Sequence, residues 1–159
     1  MAGLNVVVWA GWSPLAGYLA HRLPLRRFEH DTWLTRLRGW ERTGARYERL
    51  HIRRWKDRLP EAGALFEGGF AKRSVRRQDD QLERFVVETR RAEWAHWSIL
   101  AAAPVTFLWN WWWVDLVMVG YALAANLPCL VVQRYNRARL LRLLARRATK
   151  TRPGPTGTA

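Results

Sequence analysis

Apolar residues run almost without interruption from Ala2 to Ala20, where Asn5 and Ser13 are the clearly polar side chains, and the run stops at His21 and Arg22. At ~1.5 Å of rise per residue, about 19 helical residues reach across a hydrocarbon core of ~30 Å. Residues 2–20 therefore predict a first membrane crossing. A cleavable signal peptide is the competing reading, but it wants its positive charge ahead of the apolar stretch, and here the charge follows. A second apolar region extends from Trp94 to Val132, with Glu93 just outside it and Asp115 as its acidic interruption. It is roughly twice the length of one crossing, which predicts a hairpin of two helices, 94–113 and 115–133, turning near Trp111 to Asp115. Tryptophans favour the headgroup level. Trp109, Trp111, Trp112 and Trp113 then mark the far side, and Trp94 and Trp97 the near side.

The segments around these runs are polar and basic. Trp33, Leu37, Trp40, Gly44, Tyr47 and His51 follow 4-3-4-3-4 spacing, which lines one face of a helix, while Arg36, Arg38, Arg42, Arg46, Arg49 and Arg53 occupy most of the rest. Such a basic amphipathic helix either lies along the inner leaflet or packs on the other cytoplasmic segments. Pro60 to Gly63 and the pair Gly68-Gly69 mark a loop, and Asp79 or Asp80 is a candidate N-cap for a helix that enters the membrane. A basic helix is expected over 134–150, and the Pro, Gly and Thr of 152–159 read as a disordered tail. The whole of 1–151 forms one membrane domain, with cytoplasmic or interfacial helices over 29–92.

Charge settles the orientation. The chain has 27 Lys and Arg against 13 Asp and Glu, a formal +14, but none of the cations falls between Met1 and His21 or between Ala92 and Gln133. Basic proteins often bind nucleic acid. Cations excluded from every apolar run point instead to the positive-inside rule. The expected class is thus an all-α integral membrane protein with about three transmembrane helices. Its N-terminus lies outside, and a basic, partly amphipathic helical segment lies in the cytoplasm, with membrane lipid and no nucleic acid as partner. Cys129, the single cysteine, sits in an apolar run and offers neither a disulfide nor a metal cluster.

Several side chains are candidates for chemistry. Glu93 and His96 stand three apart on one helical face, and a carboxylate beside an imidazole can orient it as a general base acting on an alcohol. The plainer alternative is a polar residue at the membrane boundary. With the hairpin turn centred near 114 and 115, His96 comes level with Gln133 and Glu93 with Asn136, while Asn126 lies roughly 10 Å deeper. Asn126, Gln133 and Asn136 then form a polar face opposite Glu93 and His96, either a binding site or a set of helix-to-helix hydrogen bonds. Arg53, Arg54 and Lys56, and later Arg134 and Arg137, combine with aromatic neighbours. They suit either the phosphates of an acyl donor or anionic lipid headgroups. No Walker loop, zinc-spaced Cys and His set, GxSxG elbow or His-x4-Asp pair is present.

Five blocks appear in order: Trp40-Glu41-Arg42-Thr43-Gly44, Arg54-Trp55-Lys56, Glu88-Thr89-Arg90-Arg91-Ala92-Glu93 with His96-Trp97, Ala125-Asn126-Leu127-Pro128, and Gln133-Arg134-Tyr135-Asn136-Arg137-Ala138-Arg139-Leu140. Together they resemble the glycosyl-4,4′-diaponeurosporenoate acyltransferase family over roughly residues 40 to 142, the block Glu88 to Trp97 and the run from Ala125 to Leu140 being the most specific. The resemblance implies a membrane acyltransferase that moves a fatty acyl group from an activated thioester, acyl-CoA or acyl carrier protein, to a sugar hydroxyl of a glycosylated carotenoid or similar glycolipid. The donor is a substrate, and no cofactor is implied. In that reading His96 removes the proton, Glu93 orients it, and Arg53, Arg54, Lys56, Arg134 and Arg137 hold the donor phosphates. Asn126, Gln133 and Asn136 line the substrate site. The alternative is a non-catalytic membrane scaffold for carotenoid or envelope lipid synthesis.

Overall fold

The computed structural model describes residues 2–56, 59 and 79–151, and every regular element among them is helical. Helix α1 spans Ala2–Arg22 and continues through Pro14. Its small buried residues Ala16 and Ala20, one turn apart, let it lie closely on helix α4, Asp79–Ala102. Pro24 then ends α-helical geometry, and a single 3-10 turn, Leu25–Phe28, buries Phe28 edge-on against Trp94, with centroids 6.3 Å apart.

The amphipathic helix expected across residues 33–51 does not form. In its place are a 3-10 turn at Gly39–Glu41 and two one-turn helices, α2 at Ala45–Glu48 and α3 at Ile52–Trp55. Gly44 (φ 69°) and His51 (φ 50°) adopt left-handed backbone that a continuous α-helix excludes. Glycine at 44 is favoured by its backbone. Its φ suits a residue without a Cβ, and the position lies in van der Waals reach of the Tyr135 ring, 3.5 Å from where a Cβ would stand. The helical spacing is also not realised as one face: Leu37 and Tyr47 are buried, whereas Trp33 and Trp40 are exposed.

Helix α4 gives way at Ala103–Leu108 to a 3-10 stretch with Pro104 in its first turn. The chain reverses at Trp109 to Trp111, and α5 starts at Trp112, running as one helix of 40 residues to Thr151. The second hairpin arm and the basic C-terminal helix, expected as neighbours, are therefore one element that continues through Pro128. Asp115, expected in the turn, lies in the first turn of α5, where a carboxylate complements the helix dipole. Among the described residues α5 is the one helix long and apolar enough, by length and composition, to cross a membrane. The expected loop at 60–69 and the tail at 152–159 fall outside the described residues.

The α4–α5 contact is the spine of the fold, with α1 laid on α4. At the far end, Asn5 of α1 accepts hydrogen bonds from Trp109 Nε1 (2.8 Å) and Asn110 Nδ2 (3.0 Å), and Asn110 also donates to Asp115 (3.1 Å). The beginning of α1 is thus fastened to the α4–α5 reversal. At the opposite end Tyr47, Ile52, Val132 and Tyr135 make one apolar cluster, and Leu82, Val86 and Leu140 make another.

Candidate active site

Arg134 and Arg137 stand three apart on α5, so both guanidiniums leave from one face and meet Glu93 on α4. Arg134 Nη1 donates to Glu93 Oε1, and Arg137 Nη2 donates to Oε2 at 2.6 Å. Trp97 Nε1 adds a bond to Oε1 at 3.3 Å. Both Glu93 and Arg137 are 0% exposed. The segment before α2 completes the cluster: Arg134 grips Glu41 through Nε (2.6 Å) and Nη2 (2.7 Å), the two-pronged geometry in which arginine binds carboxylate most strongly. Tyr47 and the Arg38 backbone N–H also donate to Glu41, the latter at 2.6 Å.

Two carboxylates and two guanidiniums thereby balance in a buried quartet. Burial alone would raise the Glu41 carboxyl, but the hydrogen bonds from Arg134, Tyr47 and the Arg38 backbone outweigh it and hold it at about 2. Burial and the bond to Glu41 push the Tyr47 phenol up. Arg134 also donates to the carbonyls of Leu34 and Arg36, and Arg137 to that of Thr35. These bonds fasten an irregular strand of chain to α5. Arg90, on α4 one turn before Glu93, fastens the chain just ahead of that segment to α4, through Asp31 (2.7 Å) and the carbonyls of Phe28 and Glu29.

His96 has a different partner from the one its spacing implied. Its Nδ1 lies 2.9 Å from Asn126 Oδ1, while Asn126 Nδ2 donates to the Ala122 carbonyl at 2.9 Å. With the amide nitrogen committed to a carbonyl, its oxygen faces the imidazole, so Nδ1 carries the proton and Nε2 is left as an acceptor. Glu93 and His96 are adjacent turns of α4 with separate bonding partners.

The level match needs correcting as well. His96 pairs with Asn126, and Gln133 lies about two turns further along α5. Two features displace the register. The reversal sits at 109–111, and the residues before it rise as 3-10 helix, at ~2.0 Å each. Glu93 nonetheless reaches Arg134 and Arg137, because long side chains on α5 lean toward its N-terminus and so toward the reversal.

Of the other expected binding residues, Arg53 is exposed and bonded to Glu48 (2.5 Å) and Tyr135 (3.3 Å). Arg54 is exposed, and Lys56 and Gln133 are half-buried. Asn136 lines a cavity of 310 Å³ with Phe85, Arg139, Leu140, Arg142, Leu143 and Arg146. The structure thus joins His96 to Asn126 and Glu93 to Arg134 and Arg137. It leaves the 53–56 group apart from both, next to Tyr135. Glu41, which the sequence reading did not single out, is central. Its signal was faint: together with Glu48 it is one of two acidic residues among the many cations of 32–56.

A family model described as glycosyl-4,4′-diaponeurosporenoate acyltransferase matches residues 30–146, a span that holds the whole quartet and the His96–Asn126 pair. This chain belongs to that family. Proteins named glycosyl-4,4′-diaponeurosporenoate acyltransferase from Staphylococcus aureus strains N315 and USA300 are each 31% identical over 138 residues, covering 83% of this chain and 82% of theirs. The one from strain Newman is 31% identical over 129 residues, with 79% and 77% covered. No solved structure matches the chain. The resemblance seen in the sequence blocks is therefore a family membership, and the protein is an acyltransferase.

Proposed function

We propose that the protein moves a fatty acyl group from an activated thioester to a sugar hydroxyl of a glycosylated carotenoid, or of a similar glycolipid, at the cytoplasmic face of the membrane. The acyltransferase class comes with the family, whose relatives carry that acceptor in their name. The observation that carries the mechanism is the His96–Asn126 hydrogen bond, because it leaves Nε2 free to accept a proton. As the sugar hydroxyl attacks the thioester carbonyl, Nε2 takes its proton and the new C–O bond forms. The tetrahedral intermediate then collapses, the C–S bond breaks, and the imidazolium returns the proton to the departing thiolate. Asn126 is a positioning residue that holds the tautomer. Glu93 acts at one remove, since it steadies α4 against α5 beside His96.

The membrane arrangement supporting this reading has three crossings, α1, the end of α4 and the first part of α5, with the N-terminus outside. Asn5 lies with the hairpin reversal, at the end remote from the basic cluster, which suits that orientation. The sides of α1 and α5 expose Val6, Val7, Leu116, Val117 and Tyr121, an apolar exterior that suits lipid and a polyene chain.

Purified protein in lipid nanodiscs, given labelled acyl thioesters and glycolipid acceptors, tests the reading. His96→Ala should lower turnover per folded molecule by about 10²- to 10⁴-fold, and Asn126→Ala by less, because it loosens the base without removing it. Near wild-type turnover in a well-folded His96→Ala protein would end the assignment of the base. Acceptor binding without transfer by the unaltered protein would favour a scaffold.

A further inference from the structure

Two of the arginines expected to hold the donor are already charge-paired, although Arg137 Nε and Nη1 have no acceptor among the described residues. Arg134 and Arg137 face Glu41 and Glu93 in a buried, charge-balanced cluster, and a guanidinium held by two carboxylates or buried against one has little positive field left to offer. Cations without a direct ion pair lie further along α5, the Glu48 carboxylate acting on Arg139 only at longer range. Arg139, Arg142 and Arg146 follow i, i+3, i+7 spacing, so they share one face, and all three line the 310 Å³ cavity between α4 and α5. Among the described residues no ion pair involves any of the three. Like charges stacked at this spacing repel one another, and an anion between them relieves the repulsion.

The cavity has further features of a binding site. Asn136 Nδ2 lines it as a buried donor with no acceptor among the described residues. Arg139 is steadied by stacking over Tyr135, 5.6 Å from the ring centroid. Phe85, Leu140 and Leu143 give it an apolar wall, so it offers both a charged and an apolar surface. The volume is at the lower end of the ~300–1,000 Å³ typical of small-molecule sites. That suits the headpiece of a ligand whose remaining length lies elsewhere.

We propose that this cavity, through Arg139, Arg142, Arg146 and Asn136, binds the phosphate groups of the acyl donor. The inference rests on the acyl-transfer reading for the identity of the ligand. Its chemistry, a phosphate-bearing headpiece beside an apolar surface, is shared by an anionic lipid headgroup, and the experiment separates the two sources. Full-length protein is placed in nanodiscs of zwitterionic lipid and titrated with free coenzyme A, followed by calorimetry. The wild type should bind, more weakly as salt rises. Arg142→Gln with Arg146→Gln, both exposed and therefore tolerant, should weaken binding about tenfold to a hundredfold. Arg142→Lys with Arg146→Lys should recover part of the loss.

In transfer assays the Gln pair should raise KM for acyl-CoA yet leave KM unchanged for a phosphate-free acyl thioester such as an N-acetylcysteamine ester. Equal coenzyme A affinity in wild type and Gln pair would overturn the proposal. So would retention of an anionic phospholipid by the wild type alone, with coenzyme A binding unaffected, since that assigns the cavity to lipid. Because coenzyme A binding is read without turnover, failure of transfer with every donor would sink the functional reading and leave the binding result to stand by itself.

Discussion

The two ends of the molecule bury opposite things. At the reversal end the outer surface is apolar: Leu108 is 82% exposed and Val7 69%, while the polar Asn5 and Asp115 are buried between helices. At the basic end the exterior is charged, and the interior also holds charge, in Glu41, Glu93 and Arg137, with Arg134 half-buried beside them. A water-soluble domain puts apolar groups inside and polar ones outside. The first pattern is what a chain does where lipid replaces water, since hydrogen-bonding groups then have only one another. The second occurs where a segment without regular hydrogen bonding must be fixed to a helix. The guanidiniums of Arg134 and Arg137 supply donors to the carbonyls of Leu34, Thr35 and Arg36, which no helix ladder serves. On the proposed membrane placement, one end is organised by its solvent and the other by its charges.

The largest expected effect tests the first half of that contrast and is all-or-none. Reporter fusions placed after Gly3, near Gly68 and at Ala159 should read outside, inside and inside. An inside signal near residue 3 would break the three-crossing arrangement and with it the lipid explanation of the apolar end. Next in size is a pair of truncations. Glu93→Ala leaves Arg137 buried without its carboxylate and should cost about 3–5 kcal/mol in unfolding measured in detergent. Leu116→Ala on the exposed side of α5 should stay within ~0.5 kcal/mol. Similar losses at both positions would erase the distinction between the two ends.

The smallest effect is a pH dependence. Glu41 titrates at about 2 when folded, against an ordinary value of 4.5, so its contribution is fully present above pH 4.5 and fades as the pH falls toward 2. The loss should be at most roughly 3 kcal/mol, and Glu41→Gln should flatten that part of the stability profile. An unchanged profile in Glu41→Gln would mean that other carboxylates dominate acid unfolding.

Long elements were legible in the sequence because their signal is summed over many residues. The first apolar run, 2–20, became a helix over Ala2–Arg22, and the region after Trp94 became a hairpin. Residues 33–51 misled because a spacing of threes and fours is also met by turns that bury every third or fourth residue. The spacing puts Gly44 on a helix face, but its left-handed φ ends any helix there. The Glu93–His96 pairing failed as a local inference for a related reason. Spacing along one helix states which side chains are neighbours, but partners on α5 decided where each one bonded. Glu41 was invisible for the same cause, since its role depends on a contact 93 positions away in sequence.

That α5 is unbroken makes it a ruler. Asn126, which marks the level of His96, and Arg139, the first arginine of the cavity, are 13 residues apart on a single helix, which fixes them ~20 Å from each other along its axis. Two sockets on one continuous helix keep their spacing. On the proposed placement, a donor gripped by its phosphates at one socket delivers its thioester to the other only if its arm spans that distance. Arm length then becomes a selection rule set by the number of residues in α5, enforced without any side chain touching the arm itself.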